Sequence, residues 1–407
     1  MREKEICFGS RNRKTSGHRF MKATLILAIF VMGLGLCAAS SDTFAESTAV
    51  YLHNQQIFDI SSVNSGTTVY INDNTASFNN KGTVYLKGSS KLVNIVVSAS
   101  AGKEITIMLK DQFRLQPSIS TAFFTPTSGI EIDETKAAGG TVNIVTERGA
   151  DAYVGNYWSP PAIEKDDTKT KLVFDTEDHN VPGSLTCEAV DGDGTCGIGA
   201  LGDFFTRSNT CGNVYFNGGN IKAIGHHGGA GIGADVYASC DGITINGGFV
   251  NAIAGNFRDA TPVPVARGAG IGVSWKGSAD NITINGGKVI ARGCGYDDRY
   301  LSSGSRGAGI GGTEFCHVGK VTINGGEVYA RGASSGATAA DGIGISGNTG
   351  SVDQIVINGG TVEAEGGINQ AGIGGPGASI KITGGNVKAY AHEGGLGIGP
   401  TAGTGSI

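Results

Sequence analysis

One short phrase recurs along the second half of this chain and constrains its fold more than any other feature. It consists of a hydrophobic residue, a variable residue, a second hydrophobic residue, an asparagine or threonine, and two glycines. The six copies begin at Val214, Ile243, Ile282, Val321, Ile355 and Ile380. They stand 25 to 39 residues apart, so the shortest spacing defines the repeat unit and the longer spacings contain insertions.

Hydrophobic and polar residues alternate within each unit, which is typical of β-strands. In the copy that starts at Ile282, the two isoleucines share one face of the strand and Thr283 takes the other. Asn-Gly-Gly then favours a tight turn, because asparagine and glycine adopt left-handed backbone angles readily. A second strand at residues 288–291 and a Gly-Ile-Gly segment at residues 309–311 complete the unit. Three strands in about 25 residues predict one coil of a parallel β-helix, and an array of Asn-Gly hairpins is the competing interpretation.

Stacking the units in register favours the coil, because complementary residues become neighbours. Equivalent positions of successive coils are expected about 4.8 Å apart. Cys211 and Cys240 stand at equivalent positions, which predicts a disulfide between two coils. Three oppositely charged pairs also come together, namely Lys288 with Glu327, Arg331 with Glu365, and Glu363 with Lys388.

The first half of the chain continues this pattern with larger side chains and less regular spacing. Strand-like segments begin at Val84, Ile105, Val142 and Leu172. We therefore predict an all-β solenoid from about residue 50, with irregular coils over residues 46–195 and six glycine-rich repeats over residues 196–407. Glycine supplies 69 of the 407 residues, but only 9 are proline, which excludes collagen. No obvious capping segment follows the last repeat, so we expect this end to be covered by a partner or by a second copy of the chain, unless the sequence itself is incomplete there.

Residues 1–45 carry the features of a basic extension followed by a secretory signal peptide. A short hydrophobic stretch is followed by small residues up to Ala45. Cleavage after Ala45 or after Ala39 fits the pattern, and lipid attachment at Cys37 is an alternative. No later segment is long enough for a membrane span. The sequence predicts a secreted or cell-surface protein with no transmembrane segment after the signal peptide.

The cysteine count agrees with export. Six cysteines follow the signal region, and an even number in an exported chain favours disulfides over metal sites. No pair has the Cys-x-x-Cys spacing of zinc or redox motifs. The expected bridges are Cys211–Cys240, Cys187–Cys196 and Cys294–Cys316.

These motifs resemble the glycine-rich repeats of secreted and cell-surface proteins of the right-handed parallel β-helix type, which share the fold of pectate-lyase-like solenoids. The resemblance covers residues 196–407 and rests on Ile-Thr-Ile-Asn-Gly-Gly, the x-Val-x-Ala that follows, and the later Gly-Ile-Gly. It implies the fold more strongly than an activity. Some proteins of this type bind carbohydrate, and solenoids of this class contain an internal asparagine ladder. The ladder implied here consists of Asn217, Asn246, Asn285, Asn324 and Asn358.

Few residues form a pattern that points to chemistry. Asp241 and Asp280 stand at equivalent positions and are candidates for a calcium site, although Gly319 interrupts their column on the next coil. No other cofactor is expected. The inserted loop after Cys294 combines acids, an arginine and aromatics that are suited to contact a sugar. This candidate ligand site consists of Tyr296, Asp297, Asp298, Arg299 and Tyr300.

The glycines of Gly-Ile-Gly predict a solenoid face with few side chains that is open to a flat polymer. The net charge is −5 and no basic patch or arginine-rich run points to nucleic acid, so nucleic acid is not an expected partner. Repetition without a catalytic cluster predicts a non-enzymatic adhesion or polysaccharide-binding module, with a polysaccharide or cell-surface component as partner. A β-helix polysaccharide lyase or glycoside hydrolase is one alternative, and a structural spacer of an envelope or matrix is the other.

Overall fold

The computed structural model describes residues 49–399, apart from residues 64–66, 74–77, 92, 118–127, 134, 136–137, 157–159, 191–193, 203–208, 256–267, 296–306, 335–339 and 346–349. The described residues belong to one compact unit that begins at Ser47. They form β-strands joined by turns, with a short 3₁₀ helix at Ile60–Ser62. None of their helices is long and apolar enough to cross a membrane. The predicted signal region, residues 1–45, lies outside them.

The strands stack into three parallel sheets, and successive strands of the chain enter these sheets in turn. Sheet 1 contains β1 (Ala49–Tyr51), β3 (Thr67–Asn72), β6 (Val93–Ser98), β9 (Ile130–Ile132), β12 (Ile163–Lys165), β15 (Ile198–Ala200), β19 (Ile232–Ala234), β23 (Ile271–Val273), β26 (Ile310–Gly312), β29 (Ile343–Ile345), β32 (Ile373–Gly374) and β35 (Ile398–Gly399).

Sheet 2 contains β2 (Ile57–Asp59), β4 (Lys81–Lys87), β7 (Glu104–Leu109), β10 (Thr141–Thr146), β13 (Lys171–Thr176), β17 (Val214–Phe216), β21 (Ile243–Ile245), β24 (Ser278–Ile284), β27 (His317–Ile323), β30 (Ser351–Ile357) and β33 (Ser379–Ile382), with β16 (Thr210–Cys211) and β20 (Ser239–Cys240) paired beside its middle strands. Sheet 3 contains β5 (Ser89–Ser90), β8 (Arg114–Leu115), β11 (Asp151–Gly155), β14 (Ser184–Glu188), β18 (Asn220–Ile224), β22 (Phe249–Ile253), β25 (Lys288–Arg292), β28 (Glu327–Arg331), β31 (Thr361–Glu365) and β34 (Asn386–Tyr390).

The register of the repeats follows the alternation in the sequence. Ile282 pairs with Ile243 on one side and with Val321 on the other, and all three side chains point into the solenoid. The predicted charged neighbours are strand partners as well. Lys288 lies 3.5 Å from Glu327 and Arg331 lies 3.4 Å from Glu365, measured between nitrogen and oxygen, and Glu363 pairs with Lys388.

The first half joins the same sheets, with one local shift of register. Ile105, Val142, Leu172 and Val214 are consecutive partners, as their spacing predicts. Val84 pairs with Ile107 instead of Ile105. The shift is two residues long, so the hydrophobic face still points inward.

Inward-facing residues form one hydrophobic core along the described part of the solenoid. Its larger side chains are concentrated toward the first half, where the ring of Phe174 stacks on that of Phe216 from the first repeat with centroids 4.9 Å apart. In the later coils the core consists mainly of isoleucine, valine and alanine. This core also holds a buried ion pair, since Lys165 Nζ lies 3.3 Å from Asp167 Oδ2 and both side chains are inaccessible to solvent.

Candidate functional site on the outer face of sheet 2

The outer face of sheet 2 carries polar residues in columns, because each coil exposes the same strand positions. One column contains Ser239 and Ser278, whose hydroxyl oxygens lie 2.8 Å apart. It continues with His317, whose Nδ1 lies 3.0 Å from the hydroxyl oxygen of Ser351. A second column, nearer the strand ends, consists of Thr244, Thr283 and Thr322. This face therefore repeats its hydrogen-bonding groups from coil to coil.

An asparagine ladder follows the last strand residue at the corner after sheet 2. Each Nδ2 donates to the Oδ1 of the asparagine one coil earlier, at 2.8–2.9 Å. The ladder runs through Asn217, Asn246, Asn285, Asn324 and Asn358, and the Thr383 hydroxyl donates to Asn358 at its end. Its side chains are exposed apart from the half-buried Asn217, so the internal position that the resemblance implies is wrong. The isoleucine before each asparagine points inward, and the next side chain therefore points outward.

A shallow recess of about 410 Å³ opens in this face where one side chain is missing. Asp280 of β24 and Asp353 of β30 flank Gly319 of β27. A β-carbon on Gly319 would lie 2.7 Å from the backbone oxygen of Asp280, so this position accommodates only glycine without adjustment. The gap in the aspartate column is thus the floor of the recess. The remaining lining residues are Asn281, His317, Lys320 and Gln354.

The recess combines hydrogen-bond acceptors with donors. Its two carboxylates accept, whereas the Lys320 ammonium and the neighbouring side-chain amides donate. His317 Nε2 lies 3.6 Å from Asp353 Oδ2, which adds an imidazole ring to the lining of the recess. An arrangement of this kind suits a neutral ligand rich in hydroxyl groups, because each hydroxyl can both donate and accept.

Aromatic residues line the corner through which the chain enters sheet 2 beside this recess. The rings of Tyr237 and Trp275 meet edge to face with centroids 5.4 Å apart, and Trp275 meets Phe315 in the same way at 6.3 Å. Lys276 Nζ lies 4.3 Å from the centre of the Trp275 ring and donates to the Tyr237 hydroxyl at 3.2 Å. We call these four residues the aromatic corner. Sequence inspection missed it, although an aromatic residue stands nine or ten positions before three successive ladder asparagines.

The aspartates predicted to bind calcium, Asp241 and Asp280, lie side by side, and Asp280 also lines the recess. Burial, followed by the negative charge of Asp280, raises the pKa of Asp241. Among the described residues no group of three histidine, cysteine, aspartate or glutamate side chains is arranged to hold a metal ion. Two carboxylates fall short of the roughly six to eight oxygens that calcium takes. The predicted sugar-contacting loop, residues 296–300, lies outside the described residues.

The glycine column of sheet 1 is closed, in contrast to the open face expected from the sequence. Gly233, Gly272 and Gly311 are buried. A β-carbon on Gly233 or on Gly272 would lie 1.8 Å from the carbonyl oxygen of the next glycine in the column. The backbone there has φ of 131° to 137°, which L side chains rarely adopt. These glycines are required by the close approach of neighbouring coils and do not leave room for a polymer.

An acidic cluster on sheet 1 was not apparent from the sequence, because it lies in the irregular half. Glu164 and Glu131 are strand partners, and Asp166 follows on the same side of the chain. Burial, the charge of Asp166, a hydrogen bond with Asp166 and the charge of Glu131 raise the pKa of Glu164 well above its usual range. Asp166 also accepts a hydrogen bond from the backbone nitrogen of Leu201, at 2.8 Å.

Cys211 and Cys240 meet as the register predicts, but as two thiols. They are strand partners, and their sulfur atoms lie 2.9 Å apart in the buried core. A disulfide requires a separation of about 2.05 Å. The predicted bond is therefore absent from the structure, although its two sulfurs are in contact.

The other two predicted disulfides, Cys187–Cys196 and Cys294–Cys316, are also absent, because their members are buried in different places. Cys187 and Cys316 point into the main core, each as a free thiol. Cys196 is buried outside that core, and Cys294 packs with Ala254 in a separate small cluster. The two cysteines of each pair are close in sequence, but the chain passes from one sheet to another between them. Their thiols therefore lie in separate surroundings.

Comparison with known proteins agrees with this geometry. The family model of the beta helix repeat matches residues 217–235, 243–272, 282–314 and 355–378. No curated protein and no solved structure shows a significant match. With its three parallel sheets and repeated coils, the chain is a right-handed parallel β-helix repeat protein.

Proposed function

We propose that the protein is an exported, non-enzymatic surface module that binds polysaccharide through the outer face of sheet 2. The observation that carries the proposal is the recess over Gly319, which has an aspartate on each side and is also lined by Lys320. Carboxylates accept hydrogen bonds from sugar hydroxyls, and Lys320 can donate to them. Because both charges are present, a neutral sugar fits better than a polyanion.

The surroundings of the recess support a polymer as the ligand. Serine, threonine and asparagine columns continue the hydrogen-bonding surface to coils on both sides of it. A long ligand can gain affinity by contacting several coils, whereas a small molecule contacts one. The signal-like residues 1–45 support export, which would bring this surface into contact with extracellular glycans.

A glycan array with the chain from Glu46 onward tests the proposal. We expect a neutral glycan to bind and to do so equally in calcium and in EDTA. Titration calorimetry on the bound glycan then compares the native chain with Asp280→Asn/Asp353→Asn. Replacing both charged acceptors is expected to weaken binding at least tenfold. Glu363→Gln, an acid-to-amide change on the outer face of sheet 3, is the matched control and is expected to leave affinity unchanged.

Unaltered affinity in the double variant contradicts the proposed site, and the absence of any glycan ligand contradicts the proposed function. An assay for reducing ends tests the non-enzymatic part. Release of reducing ends that disappears in Glu164→Gln would favour a glycoside hydrolase instead, because a carboxyl of raised pKa beside a second acid suits general-acid catalysis.

A further inference from the structure

The aromatic corner consists of one turn that recurs on successive coils. In each case the backbone nitrogen of the fourth residue donates to the carbonyl of the first, as in Ala238 to Asp235, Gly277 to Ser274 and Cys316 to Thr313, at 3.0–3.3 Å. The third residue of each turn has a left-handed backbone, and these residues are Tyr237, Lys276 and Phe315, with φ of 59° to 62°. Glycine is the residue that such a position favours.

The same turn on the last described coil does contain glycine. Ala378 donates to Gly375 at 3.2 Å, and Gly377 occupies the third position with φ of 79°. In a chain with 69 glycines, the fold therefore does not require a large side chain at this position. Phe315 is nevertheless half exposed, at 50%, in a conformation that is unfavourable for it. A large apolar side chain that is exposed, at a position where the backbone favours glycine, points to a contact with something outside the chain.

The position of the corner identifies that contact. Phe315 lies in the turn that leads into β27, two residues before His317, which is the first residue of that strand and lines the recess. The four residues from Phe315 to Gly319 span up to about 14 Å, a distance that an oligosaccharide can bridge. The exposed ring of Phe315 offers an apolar face, and the ammonium of Lys276 beside Trp275 offers a donor.

We propose that the aromatic corner is a stacking subsite for the same glycan, at which Phe315 and Trp275 hold sugar rings beyond the ring bound in the recess. This inference rests on the proposed function and extends it to the length of the ligand. Affinity is then expected to increase with chain length, because only an oligosaccharide reaches both the recess and the corner.

The test variant is Phe315→Gly, which reproduces the turn already present at Gly377 and therefore preserves the backbone. We expect it to leave the affinity for a monosaccharide unchanged and to lower the affinity for a long oligosaccharide about tenfold. Tyr390→Ala removes an equally exposed aromatic side chain from sheet 3 and serves as the control. In a Trp158→Phe background Trp275 is the remaining tryptophan, and its fluorescence should respond to the oligosaccharide but not to the monosaccharide.

The outcomes separate this inference from the proposed function. If Asp280→Asn/Asp353→Asn weakens binding but Phe315→Gly leaves the dependence on chain length intact, the stacking subsite is wrong and the recess stands. Equal losses for short and long ligands in Phe315→Gly also overturn the subsite. If neither variant affects any glycan, both proposals fail.

Discussion

Single residues that break the repeat determine where a binding site can form on this repetitive surface. Gly319 is the clearest case, because aspartate occupies the equivalent position on both neighbouring coils. In the sequence this substitution reads as an interruption of a possible ligand column. In three dimensions it leaves a floor between two carboxylates. Whether a missing side chain weakens a site or creates one depends on its neighbours across the sheet, which linear spacing does not reveal.

The acid Glu164 makes stability depend on pH in a direction opposite to that of most carboxylates. Its pKa in the folded chain lies well above the ordinary value of 4.5, so the folded state holds a proton that the unfolded state has released. The contribution of Glu164 to the free energy of unfolding is greatest below about pH 4.5. It decreases as the pH rises toward the pKa of Glu164 in the folded chain.

Glu164→Gln is therefore expected to stabilise the protein at neutral pH by about 1 kcal/mol and to have little effect at pH 4. Glutamine can keep a hydrogen bond to Asp166 without releasing a proton. Urea unfolding at both pH values measures the difference, with Glu363→Gln as the control. A variant that is less stable than the native chain at neutral pH would contradict the raised pKa.

The paired thiols predict a specific oxidation product. Cys211 and Cys240 are in contact, whereas the strand partners of Cys187 are Val154 and Ala223. Refolding with oxidised glutathione should form this one disulfide, since one thiolate attacks the glutathione disulfide and the second thiol then displaces the bound glutathione. Mass spectrometry of peptides should find the 211–240 cross-link with two hydrogens lost, and Cys211→Ser should lack it. A bridge between Cys187 and Cys196 or between Cys294 and Cys316 would contradict the described positions of these residues.

At the scale of the strand, the glycine column of sheet 1 sets the distance between coils. Gly272→Ala places a methyl group 1.8 Å from a backbone oxygen of the next coil, at a φ of 135°. We expect it to destabilise the fold by more than about 3 kcal/mol. Gly377→Ala, at a left-handed turn whose nearest atom would be 3.8 Å away, should cost about 1 kcal/mol. Thermal unfolding of the two variants measures the contrast, and equal costs would show that backbone angle alone governs this column.

The strands and their register could be predicted from the sequence, because an alternation with period two specifies which residues point inward. The pairing of Ile282 with Val321 and of Lys288 with Glu327 follows directly from the repeat. The two-residue shift at Val84 could not be predicted, since a shift of two preserves the same hydrophobic face. The same alternation predicts that the ladder asparagines point outward. The resemblance to solenoids with an internal ladder implied the opposite direction.

For the molecule as a whole, the three outer faces differ in what they offer to a ligand. Sheet 1 presents the closed glycine column over its repeats. Charged groups of sheet 3 satisfy one another, as Glu365 does with Arg331 and with His392, at 3.4 and 3.0 Å. Sheet 2 combines polar columns, the recess and the aromatic corner. The repeat spacing is shared by all three faces, and so the sequence alone does not indicate which one binds.

A crystal structure of the chain from Glu46 with a bound neutral oligosaccharide would test the central claim most directly. We expect a sugar ring over Gly319, with hydroxyls hydrogen-bonded to Asp280 and Asp353, and a further ring against Phe315. A glycan bound to sheet 1 or sheet 3, with the recess over Gly319 filled by solvent, would contradict the account.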